Sequence, residues 1–239
     1  MSRILITGAS SGIGEALTRS YQARGEQVIA CGRSQAKLEQ LTHLNGVSSL
    51  QFDITDREQV MATASQVGQL DTIILNAGDC EYIDDAINFD SQLFERVINV
   101  NLVSVAYCLE AWLPHLAPHG RLVFVSSSAQ LLPFPRAQAY GASKAGLTYL
   151  ANVMQIELAR HDIAVSVVHP GFVATPLTDK NTFDMPFKIT AEQAANYIIA
   201  GVDKGKSDIN FPGLFIFILK FLRALPSACW RAIALRMQS

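Results

Sequence analysis

The chain has 239 residues, of which 49% are apolar, and its formal net charge is −2. This length suits one medium-sized α/β domain with an ample core. The charge argues against nucleic-acid binding, because no basic field is present to replace the counterions of a phosphate backbone. The four cysteines and five histidines show no metal-ligand spacing, so we expect no metal site and mostly buried, reduced thiols.

A cluster of glycines follows the first predicted strand. The apolar run at residues 4–6 is typical of a buried parallel strand, and Gly8, Gly12 and Gly14 come soon after it. Glycines let a phosphate approach the backbone closely, and the helix-forming run after Gly14 would offer free N–H groups to a pyrophosphate. The spacing differs from the Gly-x-Gly-x-x-Gly fingerprint. The cluster therefore indicates either a dinucleotide-binding loop or a plain turn.

The end of the second predicted strand indicates which dinucleotide such a loop would hold. Many NAD sites place an acidic residue here, on the ribose 2′-hydroxyl. This chain has no Asp or Glu between Glu26 and Glu39, and it carries Arg33 instead. A guanidinium can hold a 2′-phosphate through two parallel hydrogen bonds, although a lone arginine is more often a solvated surface residue. Arg33 and the missing acid together favour NADP over NAD.

Strand-like and helix-like runs alternate through most of the chain. Strands are predicted at residues 3–7, 27–31, 48–52, 71–75, 121–126, 164–169 and 209–211. Helices are predicted at residues 14–24, 34–42, 57–67, 92–112, 140–160 and 191–204. This alternation predicts an α/β, doubly wound (Rossmann-like) parallel sheet of about seven strands, with helices on both faces and ligands at the carboxyl ends of the strands.

Three polar residues suggest a reacting centre. Tyr140 and Lys144 stand four residues apart, on one face of a predicted helix, and Ser127 precedes Tyr140 by thirteen residues. A phenol titrates near pH ~10, and an ammonium about 4 Å away supplies on the order of 4 kcal/mol at an effective dielectric near 20. That energy is about what a shift of the phenol pKa towards neutrality requires. Together with the glycine loop, these residues predict hydride transfer between a nicotinamide and a carbonyl or alcohol.

In this order, the motifs resemble those of the short-chain dehydrogenase/reductase family, in its compact single-domain branch. The resemblance runs from Arg3 to about Phe211, and Leu75 departs from it because the family often has an asparagine there. The matching motifs are Thr7-Gly8-Ala9-Ser10-Ser11-Gly12-Ile13-Gly14, Asp53-Ile54, Asn76-Ala77-Gly78, Ser127 with Tyr140 and Lys144, and Pro170-Gly171 followed by Thr175.

The resemblance implies a set of cofactor contacts. Asp53 would bond the adenine amino group, residues 76–78 would shape the floor of the adenosine pocket, and Thr175 would bond the nicotinamide carboxamide. With Arg33 included, the predicted NADP-binding residues are Gly8, Ser10, Ser11, Gly12, Ile13, Gly14, Arg33, Asp53, Ile54, Asn76, Ala77, Gly78, Tyr140, Lys144, Pro170, Gly171, Val173 and Thr175.

The resemblance also implies catalytic roles. Tyr140 would give or take the proton, Lys144 would lower the pKa of Tyr140 and hold the nicotinamide ribose, and Ser127 would position the substrate oxygen. Asn101 matches an asparagine that anchors a water for proton relay, and Asn99 is the alternative for that role. Asn101 can equally be a buried side chain that bonds backbone carbonyls.

The predicted activity is therefore that of an NADP-dependent carbonyl reductase or alcohol dehydrogenase. The alternative from another class is a catalytically idle NADP-sensing or scaffold protein on the same fold, which would be expected to have lost one of the three catalytic residues. The predicted substrate walls are residues 129–134, Phe172 and residues 176–189. The last segment is either a mobile lid or a surface loop. Its apolar side chains favour a hydrophobic carbonyl or alcohol substrate.

Residues 211–239 are predicted to form an apolar and basic extension of a single catalytic domain at residues 1–210. The unbroken apolar run is far shorter than the roughly 20 residues of a spanning helix. The extension can pack on the substrate cleft, pair with another subunit of a dimer or tetramer, or lie on an anionic membrane surface. The first two alternatives are favoured. No signal peptide is predicted, so we expect a cytoplasmic homo-oligomer, with peripheral membrane contact as the alternative.

Overall fold

The structure, a computed structural model, describes residues 1–181 and 183–237. Thr182, in the predicted lid, and Gln238 and Ser239, at the end of the predicted extension, lie outside the described residues. The strands are β1 (Arg3–Thr7), β2 (Gln27–Gly32), β3 (Val47–Gln51), β4 (Leu70–Leu75), β5 (Leu116–Val125), β6 (Ala164–Pro170) and β7 (Asp208–Phe211). The helices are α1 (Gly12–Ala23), α2 (Gln35–Thr42), α3 (Arg57–Ala62), α4 (Ala64–Val67), α5 (Ser91–Ile98), α6 (Ser104–Trp112), α7 (Gln138–Ala159), α8 (Ala191–Asp203), α9 (Gly213–Ala224) and α10 (Ser227–Arg236).

The seven strands form one sheet in the order β3-β2-β1-β4-β5-β6-β7, and all neighbouring pairs are parallel. Strands buried on both faces need continuous apolar runs, and Ile4, Leu5 and Ile6 of β1 are almost fully buried. The strand order reverses between β1 and β4, where ligands of doubly wound sheets bind. The predicted Rossmann-like fold is thus confirmed.

Helices cover both faces of the sheet. On one face, Leu17 of α1 and Ile198 of α8 pack in a buried cluster against the strands. On the other face, Trp112 of α6 and Leu147 of α7 pack in a second buried cluster. These two layers hold the carboxyl ends of the strands in fixed positions, which is where the predicted site residues lie.

Two predicted helices are interrupted. The helix predicted at 57–67 breaks at Thr63, whose hydroxyl donates to the Val60 carbonyl and accepts from the Trp112 indole N–H at 2.8 Å. Such side-chain bonding competes with the regular helix. The helix predicted at 92–112 contains a π-helical turn at Asn99–Val103, between α5 and α6. π turns are rare and occur often at functional sites.

Other differences concern element ends. β5 begins at Leu116, five residues before the predicted start at Arg121, and its register against β4 shifts between Leu70 and Thr72. The remaining predicted ends coincide with the observed ones or differ by at most two residues, as expected for sequence-based boundaries. α9 and α10 were not predicted as helices. They occupy the extension, where apolar residues on both sides of α9 hide the usual amphipathic pattern.

One helical stretch of the described chain is long and apolar enough to cross a membrane, namely 91–115. This stretch contains α5, the π turn and α6. Its Val105, Cys108, Ala111 and Trp112 are buried against the sheet. The composition therefore reflects a core helix of the fold.

Candidate functional site

Thr7 and Asn76 join the carboxyl ends of β1 and β4. The Thr7 hydroxyl accepts hydrogen bonds from the backbone N–H groups of Asn76 at 2.9 Å and Ala77 at 3.0 Å. The Asn76 amide donates to the Thr7 carbonyl at 3.0 Å. Gly8 follows with φ +64, and a Cβ there would lie 2.9 Å from the Ala77 Cα. The first glycine is thus required by both its backbone angle and the closeness of the β4 end.

The N-terminus of α1 is suited to an anion. Ser11 is its N-cap residue, yet the Ser11 side chain makes no capping hydrogen bond. The first-turn N–H groups therefore lack the usual side-chain partner, and the helix dipole favours a negative group there. A Cβ on Gly14 would overlap the Gly8 carbonyl oxygen, so this glycine lets the helix begin against the loop. These features fit the pyrophosphate of a dinucleotide.

One cleft of about 420 Å³ runs along the carboxyl ends of the strands. Its volume lies within the usual range for ligand pockets. The predicted site residues that line it are Gly8, Ser10, Ser11, Gly12, Ile13, Arg33, Asp53, Ile54, Asn76, Ala77, Gly78, Ser127, Tyr140, Lys144, Pro170, Gly171, Val173 and Thr175. Gly14 and Asn101 lie behind this lining. The tertiary structure thus brings together residues from six loops that are far apart in sequence.

At one end of the cleft lie Arg33 and Lys37, both exposed. Neither forms a salt bridge within the described part of the chain. Asp53 lies nearby, and its Oδ1 accepts from the Thr55 N–H at 2.9 Å and from the Thr55 hydroxyl at 2.8 Å. These bonds fix the Asp53 carboxylate at the mouth of the cleft. This end of the cleft therefore carries two cationic side chains and one fixed carboxylate.

At the other end lie Ser127, Tyr140 and Lys144. The Lys144 ammonium donates to the Val125 carbonyl at 3.0 Å and lies 5.8 Å from the centroid of the Tyr140 ring. The Ser127 hydroxyl accepts from the Ala129 N–H at 3.1 Å, which leaves its proton free to donate. The three side chains thus share one end of the cleft.

Ser126 has a different function from Ser127. The Ser126 side chain is almost fully buried and its hydroxyl donates to the Lys144 backbone carbonyl at 3.0 Å. It also bonds the Thr148 hydroxyl at 2.7 Å. Ser126 therefore ties β5 to α7, and this tie fixes the distance between Ser127 and the helix that carries Tyr140.

Burial governs the titration of the two central groups. Desolvation raises the pKa of Tyr140 above its ordinary 10.0, the nearby Cys80 thiol acts in the same direction, and hydrogen bonding with Ser127 opposes them. Desolvation also lowers the pKa of Lys144 to about 8. The pKa of Tyr140 in the protein alone thus moves opposite to the predicted direction, because the loss of solvent outweighs any effect of the ammonium.

Asn101 is fully buried in the π turn. Its amide donates to the Asp79 carbonyl at 2.8 Å and to the Ser143 hydroxyl at 2.9 Å, and its Oδ1 accepts from the Asp79 N–H at 2.7 Å. Ser143 in turn donates to the Tyr140 carbonyl at 2.7 Å. Asn101 therefore joins the loop after β4 to the helix that carries Tyr140. These bonds match the alternative structural role, and the proton relay stays a prediction, as does the alternative assignment to Asn99.

Some residues at the cleft were not predicted from the sequence. Lys37 lies in the first turn of α2, and its basic side chain so soon after Arg33 was the available signal. Cys80 couples electrostatically to both Tyr140 and Lys144. Its position two residues after the Asn76-Ala77-Gly78 motif could have indicated that Cys80 lies near the site.

Aromatic rings connect the predicted lid to the rest of the cleft. Phe183 contacts Tyr82 and Phe172 with centroid distances of 5.8 and 6.0 Å. Phe215 of α9 contacts Phe172 at 5.6 Å and Phe187 at 6.1 Å. The extension and the lid therefore form one apolar wall, and Pro176, Leu177 and Thr178 are the lid residues that line the cleft itself.

The extension also packs on the other predicted substrate wall. The Trp230 indole N–H of α10 donates to the Pro133 carbonyl at 3.0 Å, and its ring contacts Phe134 at 5.3 Å. Ile216 and Leu219 of α9 are buried in the same cluster. The inner side of the extension thus packs on its own domain, at residues 131–134 of the predicted substrate wall.

The fold and the site define an oxidoreductase of the Rossmann type. The family model of short chain dehydrogenases matches residues 2–185, and the chain belongs to this family. An uncharacterized oxidoreductase of Myxococcus xanthus is 31% identical over 248 residues, which cover 98% of this chain and 96% of that protein.

Solved structures agree on the fold. A short chain dehydrogenase from Burkholderia cenocepacia, solved in complex with NADP, has a TM-score of 0.86 at 24% identity and covers 100% of this chain and 98% of its own. A short chain dehydrogenase/reductase from Burkholderia phymatum, solved in complex with NAD, has a TM-score of 0.83 at 19% identity, with 92% of each chain covered.

Proposed function

We propose that this protein is an NADP-dependent oxidoreductase that interconverts a hydrophobic carbonyl compound and its secondary alcohol. The observation that carries the proposal is the convergence of Ser127, Tyr140 and Lys144 at one end of a cleft whose other end holds the glycine loop. The cofactor supplies or accepts the hydride when bound. The protein's own residues would transfer the proton and bind the substrate and the cofactor.

The proton would move at the phenolic oxygen of Tyr140. In the reducing direction Tyr140 donates it to the substrate oxygen, and in the oxidising direction its phenolate accepts it. Ser127 would donate a hydrogen bond to the same oxygen, since its hydroxyl lies within hydrogen-bonding reach of Tyr140. Lys144 would hold a ribose hydroxyl and stabilise the phenolate. This role agrees with its pKa of about 8, which leaves most of the ammonium charged at neutral pH.

The elevated pKa of Tyr140 in the protein alone does not argue against this role. As acid, a neutral phenol is the required form at neutral pH. As base, the phenolate needs a positive charge nearby, and a cationic ring in the oxidised cofactor would add to that of Lys144. Without that second positive charge Tyr140 stays a neutral phenol, which is the form needed in the reducing direction.

NADP is proposed over NAD because of the cleft end that holds Arg33 and Lys37. Both are exposed, and two positive charges without acidic partners suit a 2′-phosphate. The two solved relatives bind NADP and NAD respectively, so the shared fold does not choose between them. The charges of this chain support the phosphate-bearing cofactor.

A hydrophobic substrate is proposed because of the apolar wall. Phe172, Phe183, Phe187 and Phe215 stand in a chain of ring contacts, and Pro176 and Leu177 of the same region line the cleft. Burial of apolar substrate surface against these rings would contribute about 25 cal/mol per Å². A sugar or a small charged acid would lose its hydration against these rings without compensation.

The test is a turnover screen with the full chain. Hydrophobic aldehydes and ketones would be mixed with NADPH or NADH, and the absorbance of the reduced cofactor would be followed. We expect consumption that is faster with NADPH and that increases with the apolar area of the substrate. Secondary alcohols with NADP⁺ would test the opposite direction.

The rival is an idle NADP-binding protein on the same fold. It would bind NADPH in a fluorescence titration yet consume none with any carbonyl or alcohol in the screen. The presence of all three catalytic groups in one cleft end favours the enzyme. A cytoplasmic location and a homo-oligomeric state stay predictions, which fractionation and light scattering would test.

A further inference from the structure

α9 carries a row of exposed apolar side chains on its outer side. Leu214, Phe217, Ile218 and Phe221 are 60%, 69%, 39% and 59% exposed, and they follow the i, i+3, i+4, i+7 spacing of one helix face. We call these four residues the outer stripe. Exposed apolar side chains that stand alone are ordinary, whereas a contiguous row marks an interaction surface.

The outer stripe is not needed to hold α9 in place. The inner side of α9 holds the helix on the domain. Its Ile216 and Leu219 are only 2% and 5% exposed. They pack with Leu131, Leu132 and Trp230. α9 is therefore apolar on two sides, and only one of them contacts the domain. Leu235 of the neighbouring α10 is also 61% exposed, which extends the apolar surface to the second helix.

The charged side chains of the extension itself have one sign. Between Asp208 and the end of the chain there is no acidic residue, and the basic residues of this part are Lys220, Arg223, Arg231 and Arg236. Lys220 lies three residues after Phe217, so the two side chains are neighbours on the helix surface. Apolar side chains flanked by Lys and Arg are the pattern of a helix that lies in a lipid headgroup region.

A second copy of the chain suits this surface less well. Closed dimers use the same patch on both subunits, so each basic residue of α9 and α10 would face the equivalent basic region of its partner. Residues 209–239 contain no Asp or Glu side chain that could pair with these basic residues across such an interface. Anionic lipid headgroups supply the missing negative charge, and acyl chains accept the outer stripe.

We propose that α9 and α10 dock the protein on an anionic membrane surface through the outer stripe and its flanking basic residues. The inner side of the same helix carries Phe215, which contacts Phe172 and Phe187 over the cleft. Docking would therefore place the apolar wall of the cleft beside the bilayer. The protein would lie on the membrane and not cross it, because α9 has only 12 residues.

The experiment is co-sedimentation of the full chain with vesicles of phosphatidylcholine alone or with added phosphatidylserine. We expect binding that requires phosphatidylserine and weakens when salt rises from about 0.1 M to about 1 M, since the Debye length falls from roughly 10 to 3 Å. Phe217→Ser combined with Phe221→Ser should weaken binding at least about tenfold. Lys220→Gln should weaken it about fivefold. Ile87→Ser, at an exposed isoleucine outside the extension, should leave binding unchanged.

These variants lie on an exposed surface, so thermal unfolding should be unchanged and loss of binding would not reflect misfolding. No sedimentation of the parent with anionic vesicles would overturn the proposal, as would binding that ignores both salt and lipid charge. The proposal would also fail if the Phe217/Phe221 variant changed the molecular mass in light scattering, because a second copy would then cover the outer stripe. None of these readouts depends on catalytic activity.

Discussion

The Lys144 ammonium lies 5.8 Å from the centre of the Tyr140 ring, and it is anchored there by a hydrogen bond to the Val125 carbonyl. This arrangement keeps the buried Lys144 ammonium beside the partly buried Tyr140 phenol. Burial desolvates both groups, which raises the pKa of Tyr140 and lowers the pKa of Lys144. Groups whose pKa values are moved in this way are typical of catalytic centres.

Tyr140→Phe should lower kcat by at least ~100-fold, because the ring remains while the transferable proton is lost. Steady-state kinetics with the best carbonyl from the screen would measure this change. NADPH affinity should remain within a few-fold in a fluorescence titration. Tyr149→Phe is the matched control, since Tyr149 is 74% exposed on the same helix. Near-normal turnover of the Tyr140 variant would remove Tyr140 from the mechanism.

Lys144→Met should raise the stability of the protein without cofactor at pH 7. The pKa of Lys144 falls from 10.5 to about 8 in the folded protein, so the unfolded chain binds more protons between these values. Stability should therefore rise with pH across this window in the parent, and less so in the variant. The gain at pH 7 should be at most about 3 kcal/mol, because the bond to Val125 is lost as well.

Thermal or denaturant unfolding at pH 7 and near pH 10 would measure this difference. The stabilising effect of Lys144→Met should shrink at the higher pH, where the parent lysine is neutral in the folded state. Lys206→Met, at an exposed position, is the control and should show neither effect. A variant that is less stable than the parent at both pH values would contradict the expectation.

Arg33→Ala should weaken NADPH binding by roughly ten- to a hundredfold, which is the contribution of a charge-assisted hydrogen bond, and should leave NADH binding nearly unchanged. Lys37→Ala should act in the same direction. Arg160→Ala, at an exposed arginine at the end of α7, is the control. Titrations with both cofactors would measure the effect. Equal affinities of the parent for NADPH and NADH would count against the NADP assignment.

Asn101→Ala should destabilise the fold by about 1–3 kcal/mol, because the Asp79 backbone and the Ser143 hydroxyl lose buried partners. Denaturant unfolding would measure this, with the exposed Asn45→Ala as control. A relay role would add an effect on the pH profile of kcat beyond the loss of stability. If stability is unchanged, the hydrogen bonds of Asn101 do not support the loop after β4.

Local sequence patterns predicted the strands and helices because apolar periodicity and glycine turns act over a few residues. The same patterns missed the break at Thr63 and the π turn around Asn101. Both arise from contacts between distant parts of the chain, such as the Trp112 indole bonding Thr63 and the Asn101 amide bonding Asp79. A single sequence gives no signal for partners at such separations.

By itself, the sequence determined the α/β fold, the glycine loop, the basic residue after the second strand and the Ser-Tyr-Lys set, since each depends on residue type and short spacing. Only the tertiary structure decided the rest. It desolvated Tyr140 and Lys144 so that burial, not charge, sets their pKa values in the protein alone. It also turned the extension into two helices that pack on the domain with one side and leave the outer stripe exposed. Desolvation and burial depend on what the whole chain packs against a group, and no local pattern encodes that.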